Sequence, residues 1–501
     1  MTPTKNAETI SGRTAALDMT GSAFREAGHR LVDQIAAWLE TMPDGPVMRD
    51  ESPADVRRAL QADRALPDAP TDARVLLDEA CDLLFNHSLF NGHPRFFGYI
   101  TSSAAPLGAL GDLLASSINA NVGAWRLSPM ATEIEAQTIR WIAELIGFPA
   151  GAGGLLVSGG NMANFVCFLA ARRAKAPEAR AAGLRGAVAP LRVYASTETH
   201  TWIQKAADLF GLGTDAIRWI AADADQRMDV AALERHIVAD VANGDRPVLA
   251  VGTAGTVSTG AVDPLAEIAD VCRRHDVWFH VDGAYGAFAS SVPGAPASLR
   301  AIEHADSVAV DPHKWLYAPL EAGCALVRRP ADLLHAFSYH PSYYQFDHEV
   351  TNYFDYGPQN SRSFRALKVW LLLRQFGSPG HLASIGEDMR LARELHTRLA
   401  AHPEFEAMTQ HLSITTFRYV PQDLQPSIGT ADTETYLQQL NQDLLTRVER
   451  SGEAFLSAAM VNGRFALRAC IVNFRTSMAD IDALPTLLAR LGREADAMLR
   501  V

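Results

Sequence analysis

The chain of 501 residues is 48% hydrophobic and 20% charged, an ordinary globular balance that excludes a largely disordered or collagen-like protein. A net charge of -12 argues against an electrostatic nucleic-acid footprint, and no apolar run approaches the ~18–20 residues of a membrane span. The opening residues, MTPTKNAETISGR, lack the apolar core of a secretory signal, so a cytoplasmic enzyme is expected.

Residues 1–20 are polar and irregular, which predicts a loose tail. From Phe24 to about Phe90 apolar residues recur at helical spacing, interrupted by Pro43, Gly45, Pro46, Pro67 and Pro70. This predicts a segmented helical arm over 1–95. Residues 96–377 alternate apolar strands with helices. The strands are expected at 155–158, 191–196, 248–253, 277–282, 307–311 and 324–328, with helices such as 161–174 and 264–275 between them. That order predicts an α/β domain with a mainly parallel sheet covered on both faces, and ligands at the carboxyl ends of its strands. After Gly377 the texture changes. A helix at 382–399, strands at 412–419 and 464–472, a helix near 435–451 and a last helix at 480–499 predict a small α+β domain over 378–501.

Five scattered cysteines with no CxxC pair argue against a disulfide framework or a structural zinc site, and no metal is expected. Lysine is more informative. The chain has five lysines among 45 basic residues, so arginine supplies most solvated cations. An isolated lysine is ordinarily a surface charge, but Lys314 follows the apolar run Val308-Ala309-Val310 and precedes Trp315-Leu316. Burial there would depress its pKa and leave a nucleophilic amine suited to a Schiff base. The neighbouring strand, VWFHVDGAYG, ends in Asp282. Such an aspartate can be a helix cap, yet it is also what the pyridinium of pyridoxal 5'-phosphate (PLP) requires as partner. Ser158-Gly159-Gly160-Asn161 joins a strand to a helix start, where main-chain N–H groups meet an anion. His200, in YASTETHTW, opens a helix just after a strand, and its flat ring could cap or stack on a planar ligand.

Together with HPRFFGYITSS, GTAGTVSTGAVDP, DPHKWLYAP and SRSFRALKVW, these segments resemble the group II PLP-dependent amino-acid decarboxylases of the aromatic-L-amino-acid decarboxylase type. The resemblance spans roughly 20–490. It implies PLP fold type I, PLP as cofactor, an amino acid as small-molecule substrate, and a homodimer with the arm clasping its partner; no nucleic acid and no membrane are expected as partners. By the same resemblance Lys314 is the Schiff-base lysine, Asp282 the pyridinium partner and Ala284 a ring contact. His200 stacks on the ring, Gly160, Asn161 and His313 help bind the cofactor, and Thr101 and Tyr99 serve the substrate. Tyr343 matches a loop tyrosine credited with protonating the substrate carbon after CO2 leaves. Departures are Asp311 where the aromatic enzymes usually carry Asn, Val257 for a common Thr, and Asn91 and Gly123 where aromatic pocket walls are expected. The implied reaction is decarboxylation of an L-amino acid, most plainly an aromatic one, to the primary amine. The alternatives are an oxygen-consuming aldehyde synthase, a glutamate or aliphatic amino-acid decarboxylase, and a catalytically inactive PLP-fold binding protein.

Overall fold

Apolar strands without a polar face need cover on both sides, and the central part of the chain is built that way. The computed structural model describes residues 19–340 and 350–500. Seven strands form the main sheet: β1 (Gly153–Val157), β2 (Leu191–Ser196), β3 (Ile217–Ile220), β4 (Arg246–Thr253), β5 (Trp278–Asp282), β6 (Ser307–Val310) and β7 (Gly323–Val327). Their order is β1-β7-β6-β5-β4-β2-β3. The strands from β6 across to β3 run parallel, while β7 is antiparallel to both of its neighbours. β5, β6 and β7 are buried at every position, and helices Gly160–Lys175 and Leu265–Arg274 pack their apolar faces into the same core. The expected strands and these two helices form within a residue or two of the predicted bounds. β3 escaped the sequence reading because it is four residues long and its two central positions are not buried.

A second sheet of four antiparallel strands has the order β10-β11-β9-β8, from β8 (Phe405–His411), β9 (Ile414–Tyr419), β10 (Ser457–Val461) and β11 (Arg464–Cys470). It carries its own hydrophobic core with helices Ala431–Ser451 and Met478–Leu499. One long helix, Ala366–Ala401, reaches from the first sheet to the second and breaks at Gly377, whose φ of +60° suits glycine. Both sheets belong to one compact unit, Asn91–Glu449 with Ala454 onward. Within it the SRSFRALKVW segment is tied down by a buried pair. Arg362 Nη2 lies 2.5 Å from Glu135 Oε1 and donates to the Leu156 carbonyl at 2.6 Å.

The other unit comprises the described residues up to Phe90 with Arg450–Glu453. Its helices are Gly21–Thr41, Pro53–Leu60 and Ala73–Asn86, and side chains of Thr20, Ser52 and Asp72 cap them. Trp38 stacks on Phe85 at 5.0 Å, and Arg30 pairs with Asp78 at 2.7 Å. Phe24, Val75, Leu76 and Leu84 stay exposed. Among the described residues no helix is long and apolar enough to cross a membrane.

Candidate active site

Parallel strands bring their carboxyl ends to one edge of the sheet. Thr253, ending β4, pairs in register with Asp282, ending β5, and Asp282 pairs with Ala309 of β6. Because β7 runs the other way, its first residue, Gly323, meets Val157, the last of β1. The turns leaving this edge enclose a cavity of about 450 Å³, whose walls include Gly160, His200, Thr253, Asp282, His313 and Lys314.

Lys314 lies in the tight turn after β6, where its N–H donates to the Asp311 carbonyl at 2.9 Å. Its Nζ sits 3.2 Å from Asp311 Oδ2, and the side chain is 20% exposed. The apolar surroundings expected from the sequence are thus replaced by an ion pair supplied three residues upstream. His313 Nδ1 is 2.7 Å from the Ala322 carbonyl, and Nε2 is 3.6 Å from Asp311. Desolvation lowers the His313 pKa, with Asp311 opposing the shift.

Asp282 is buried and accepts two hydrogen bonds. The Trp202 indole N–H reaches Oδ2 at 2.8 Å, and the Ala284 amide reaches Oδ1 at 3.2 Å. Behind it, both nitrogens of His280 are engaged, with Ser307 Oγ at 2.8 Å and Asn164 Oδ1 at 2.7 Å. Burial pushes the His280 pKa down to about 4, so this ring is neutral at pH 7. Trp202 and His280 were not singled out by sequence reasoning. Their only signals were a tryptophan two residues after His200 and a histidine two before Asp282 on the same face of β5.

His200 presents an accessible ring to the cavity. Its Nδ1 accepts the Trp202 main-chain N–H at 3.2 Å, so in the neutral ring the proton rests on Nε2. Desolvation lowers its pKa, opposed by Asp282 and reinforced by Lys314. Across the cavity, Gly159 has φ +110° and Gly160 begins the helix. A Cβ on Gly160 would lie 2.6 Å from Asp311 Oδ2, and one on Gly323 would lie 2.5 Å from the Gly159 carbonyl carbon. These glycines let the helix start pack closely against Asp311 and against the start of β7.

The remaining expected residues are placed less centrally. Ala284 lines the cavity, as does Ile100, whereas Tyr99 is exposed with φ +52° and neither it nor Thr101 is among the lining residues. Next to them, Ser102 Oγ donates to the His313 carbonyl at 2.7 Å. Tyr343 lies outside the described residues. Asn91 donates to the Ser102 carbonyl at 3.1 Å. At Gly123 a Cβ would be 2.2 Å from the Asn360 carbonyl, so main chain occupies the place of an aromatic wall.

Two lining residues carry buried polar atoms without a hydrogen-bond partner among the described residues: Thr253 Oγ1 and Asp311 Oδ1. Orphaned polar atoms at a cavity wall mark the place of a polar ligand. An acceptor for a ring nitrogen, a lysine amine, a flat histidine and a glycine-lined helix start together fit PLP.

The signature described as the pyridoxal-dependent decarboxylase conserved domain matches residues 53–420. The aromatic-L-amino-acid decarboxylase of Bacillus atrophaeus is 33% identical over 484 residues, 95% of this chain and 97% of its own length. A phenylacetaldehyde synthase of Petunia hybrida is 29% identical over 471 residues, 92% of each chain. Among solved structures, an Oryza sativa TDC with PLP and tryptamine matches with a TM-score of 0.89 and 28% identity, over 96% of this chain and 99% of the other. Signature, full-length likeness and a fold type I sheet with a PLP-shaped donor set agree, and the chain belongs to the pyridoxal-dependent decarboxylase family as a PLP-dependent amino-acid decarboxylase.

Proposed function

We propose that this enzyme removes CO2 from an aromatic L-amino acid and releases the primary amine, with Lys314, Asp282, His200 and Tyr343 as its catalytic residues. The observation that carries the reading is the placement of Asp282 and Lys314 on neighbouring strand ends of one cavity. PLP, when bound, supplies the electron sink for the pair left behind by the departing carboxylate. Asp282, oriented by the donors from Trp202 and Ala284, would hold the proton on the ring nitrogen. Gly160, Asn161 and His313 would hold the phosphate end, where the N–H groups of the first helical turn point outward. Lys314 Nζ would anchor the cofactor and carry a proton, and His200 offers Nε2–H toward the bound groups. Ile100, Val257 and Leu320 give the cavity an apolar side suited to an aromatic side chain. Relatives that decarboxylate aromatic amino acids support the same choice. The test is a screen of the amino acids for CO2 release, with each amine identified by mass; release from glutamate alone would overturn the substrate class.

A second reading, decarboxylation with oxidative deamination to an aldehyde, has support from the phenylacetaldehyde synthase relative. Tyr343 decides between them. As the proton donor to the substrate carbon, it favours the amine. Tyr343→Phe keeps the ring and removes the hydroxyl, so CO2 release should largely survive. In air, amine should fall while aldehyde, ammonia and hydrogen peroxide rise, with O2 as the oxidant. Wild-type amine yield without extra peroxide would remove Tyr343 from this role.

The cofactor domain is read as 96–377 and the smaller domain as 378–501, each carrying its own sheet. The assembly is a homodimer. Leu110, Leu113, Leu114 and Ile118 form an exposed apolar stripe along helix Pro106–Ile118, and Leu127 and Met130 are exposed beyond it. A second copy is the natural cover. Sedimentation should give twice the chain mass, and Leu113→Arg with Leu114→Arg should shift it to monomer. Five free, buried cysteines favour a reducing compartment, in keeping with the cytoplasm.

A further inference from the structure

A carboxylate far from the cavity in sequence, and unused by the mechanism above, sits directly behind the lysine turn. Asp388, on helix Ala366–Ala401, is 2% exposed. Its Oδ2 accepts the indole N–H of Trp315 at 2.9 Å and the hydroxyl of Tyr317 at 2.7 Å. These residues stand one and three positions after Lys314, and both are buried. The main-chain N–H of Asn473, beyond β11, is a third donor to the carboxylate. Among the described residues no cation pairs with Asp388, and burial pushes its pKa up to about 7. A buried carboxylate without a cation is costly, and an apolar side chain would pack the same space at lower cost.

Both donors tie the turn to the same carboxylate oxygen. Tyr317 adopts φ +55°, an uncommon conformation for a bulky side chain, with its N–H on the Lys314 carbonyl at 3.1 Å and its carbonyl accepting from Ala105 at 2.9 Å. Trp315 stacks on Tyr285 at 4.5 Å, and Tyr285 lines the cavity. The Tyr285 hydroxyl is in turn 2.6 Å from Ser413 Oγ, at the start of the β9 hairpin strand. The turn bearing Lys314 is therefore anchored to the element that carries the second sheet.

We infer that Asp388 is a positioning residue for Lys314, acting through Trp315 and Tyr317 to fix the aim of the lysine amine into the cavity. This rests on the reading of Lys314 as the cofactor lysine. A misplacement of about 1 Å in a reacting group can cost ~10²-fold in rate.

The test follows PLP capture by the full-length protein stripped of cofactor, by absorbance and borohydride trapping, beside kcat, KM and Tm. Asp388→Asn should slow capture and lower kcat about tenfold or more, with KM changed less than about twofold. Tyr317→Phe, which keeps the ring and removes only the hydroxyl, should show the same split to a smaller degree and carries the test if Asp388→Asn does not fold. The double variant should be no worse than Asp388→Asn alone, since both act through one contact. Lower Tm with wild-type capture and kcat in the folded variants would overturn the inference, as would independent, multiplying losses. Lys314→Ala separates the two readings: a trappable adduct surviving in that variant overturns the lysine assignment. Loss of the adduct there with normal capture in Asp388→Asn overturns only the positioning role.

Discussion

Replacing Lys314 by alanine is expected to cut turnover by about four orders of magnitude or more, with the fold kept. The amine has no substitute nearby. The other described lysines, Lys175, Lys205 and Lys368, do not line the cavity, and Lys368 is held by Asp112 at 3.0 Å. Tm should fall, because removing Lys314 leaves Asp311, which is buried and already has one oxygen without a partner, facing His313 alone. PLP content, borohydride trapping and turnover check the prediction. Retained activity together with a trapped adduct would show that another amine does this work.

The elements legible in the sequence were those whose environment is uniform. β5 and β6 are buried on both faces, so they read as unbroken apolar runs, and Asp282 and Lys314 stood out at their ends. The Gly159-Gly160 turn was legible because a strand, two glycines and a helix start are contiguous. β3 and β8 were missed because each is a strand of mixed burial at the margin of its sheet. β10 was missed because its alternation is short and runs against polarity, with Ser457 buried and Met460 exposed.

Partnerships across the fold were not legible at all. Trp202 reaches Asp282 over 80 positions, and Asp388 reaches Trp315 over 73. No local pattern encodes such contacts. The setting of Lys314 was misread for a related reason: its flanks are apolar, while its partner, Asp311, entered the sequence reading only as a departure from the usual asparagine. Gly123 shows the converse. Its missing side chain suggested an open wall, and packing against Asn360 fills it.

Asp282→Asn is the second large effect expected, on the order of 10²-fold or more in turnover, about 3 kcal/mol of barrier. The carboxylate accepts from Trp202 and from Ala284 through its two oxygens, which leaves lone pairs on both for a ring-nitrogen proton. An amide of the same shape has one oxygen. Its NH2 must face either the Trp202 indole or the Ala284 amide, donor against donor, at a cost of about 1–3 kcal/mol for the group left unpaired. The neutral amide also cannot balance a charged ring nitrogen. His280 behind the site is neutral and has no negative charge to put in its place. The variant should therefore fold with a reduced Tm, still capture PLP on Lys314, and turn over slowly at every pH where the wild type is active. Asp282→Glu, which keeps the charge on a longer arm, should recover part of the rate if charge is what matters. Near-normal turnover of Asp282→Asn with PLP bound would assign the ring-nitrogen partner elsewhere, and equal loss in Asp282→Glu would make geometry rather than charge the deciding property of this position.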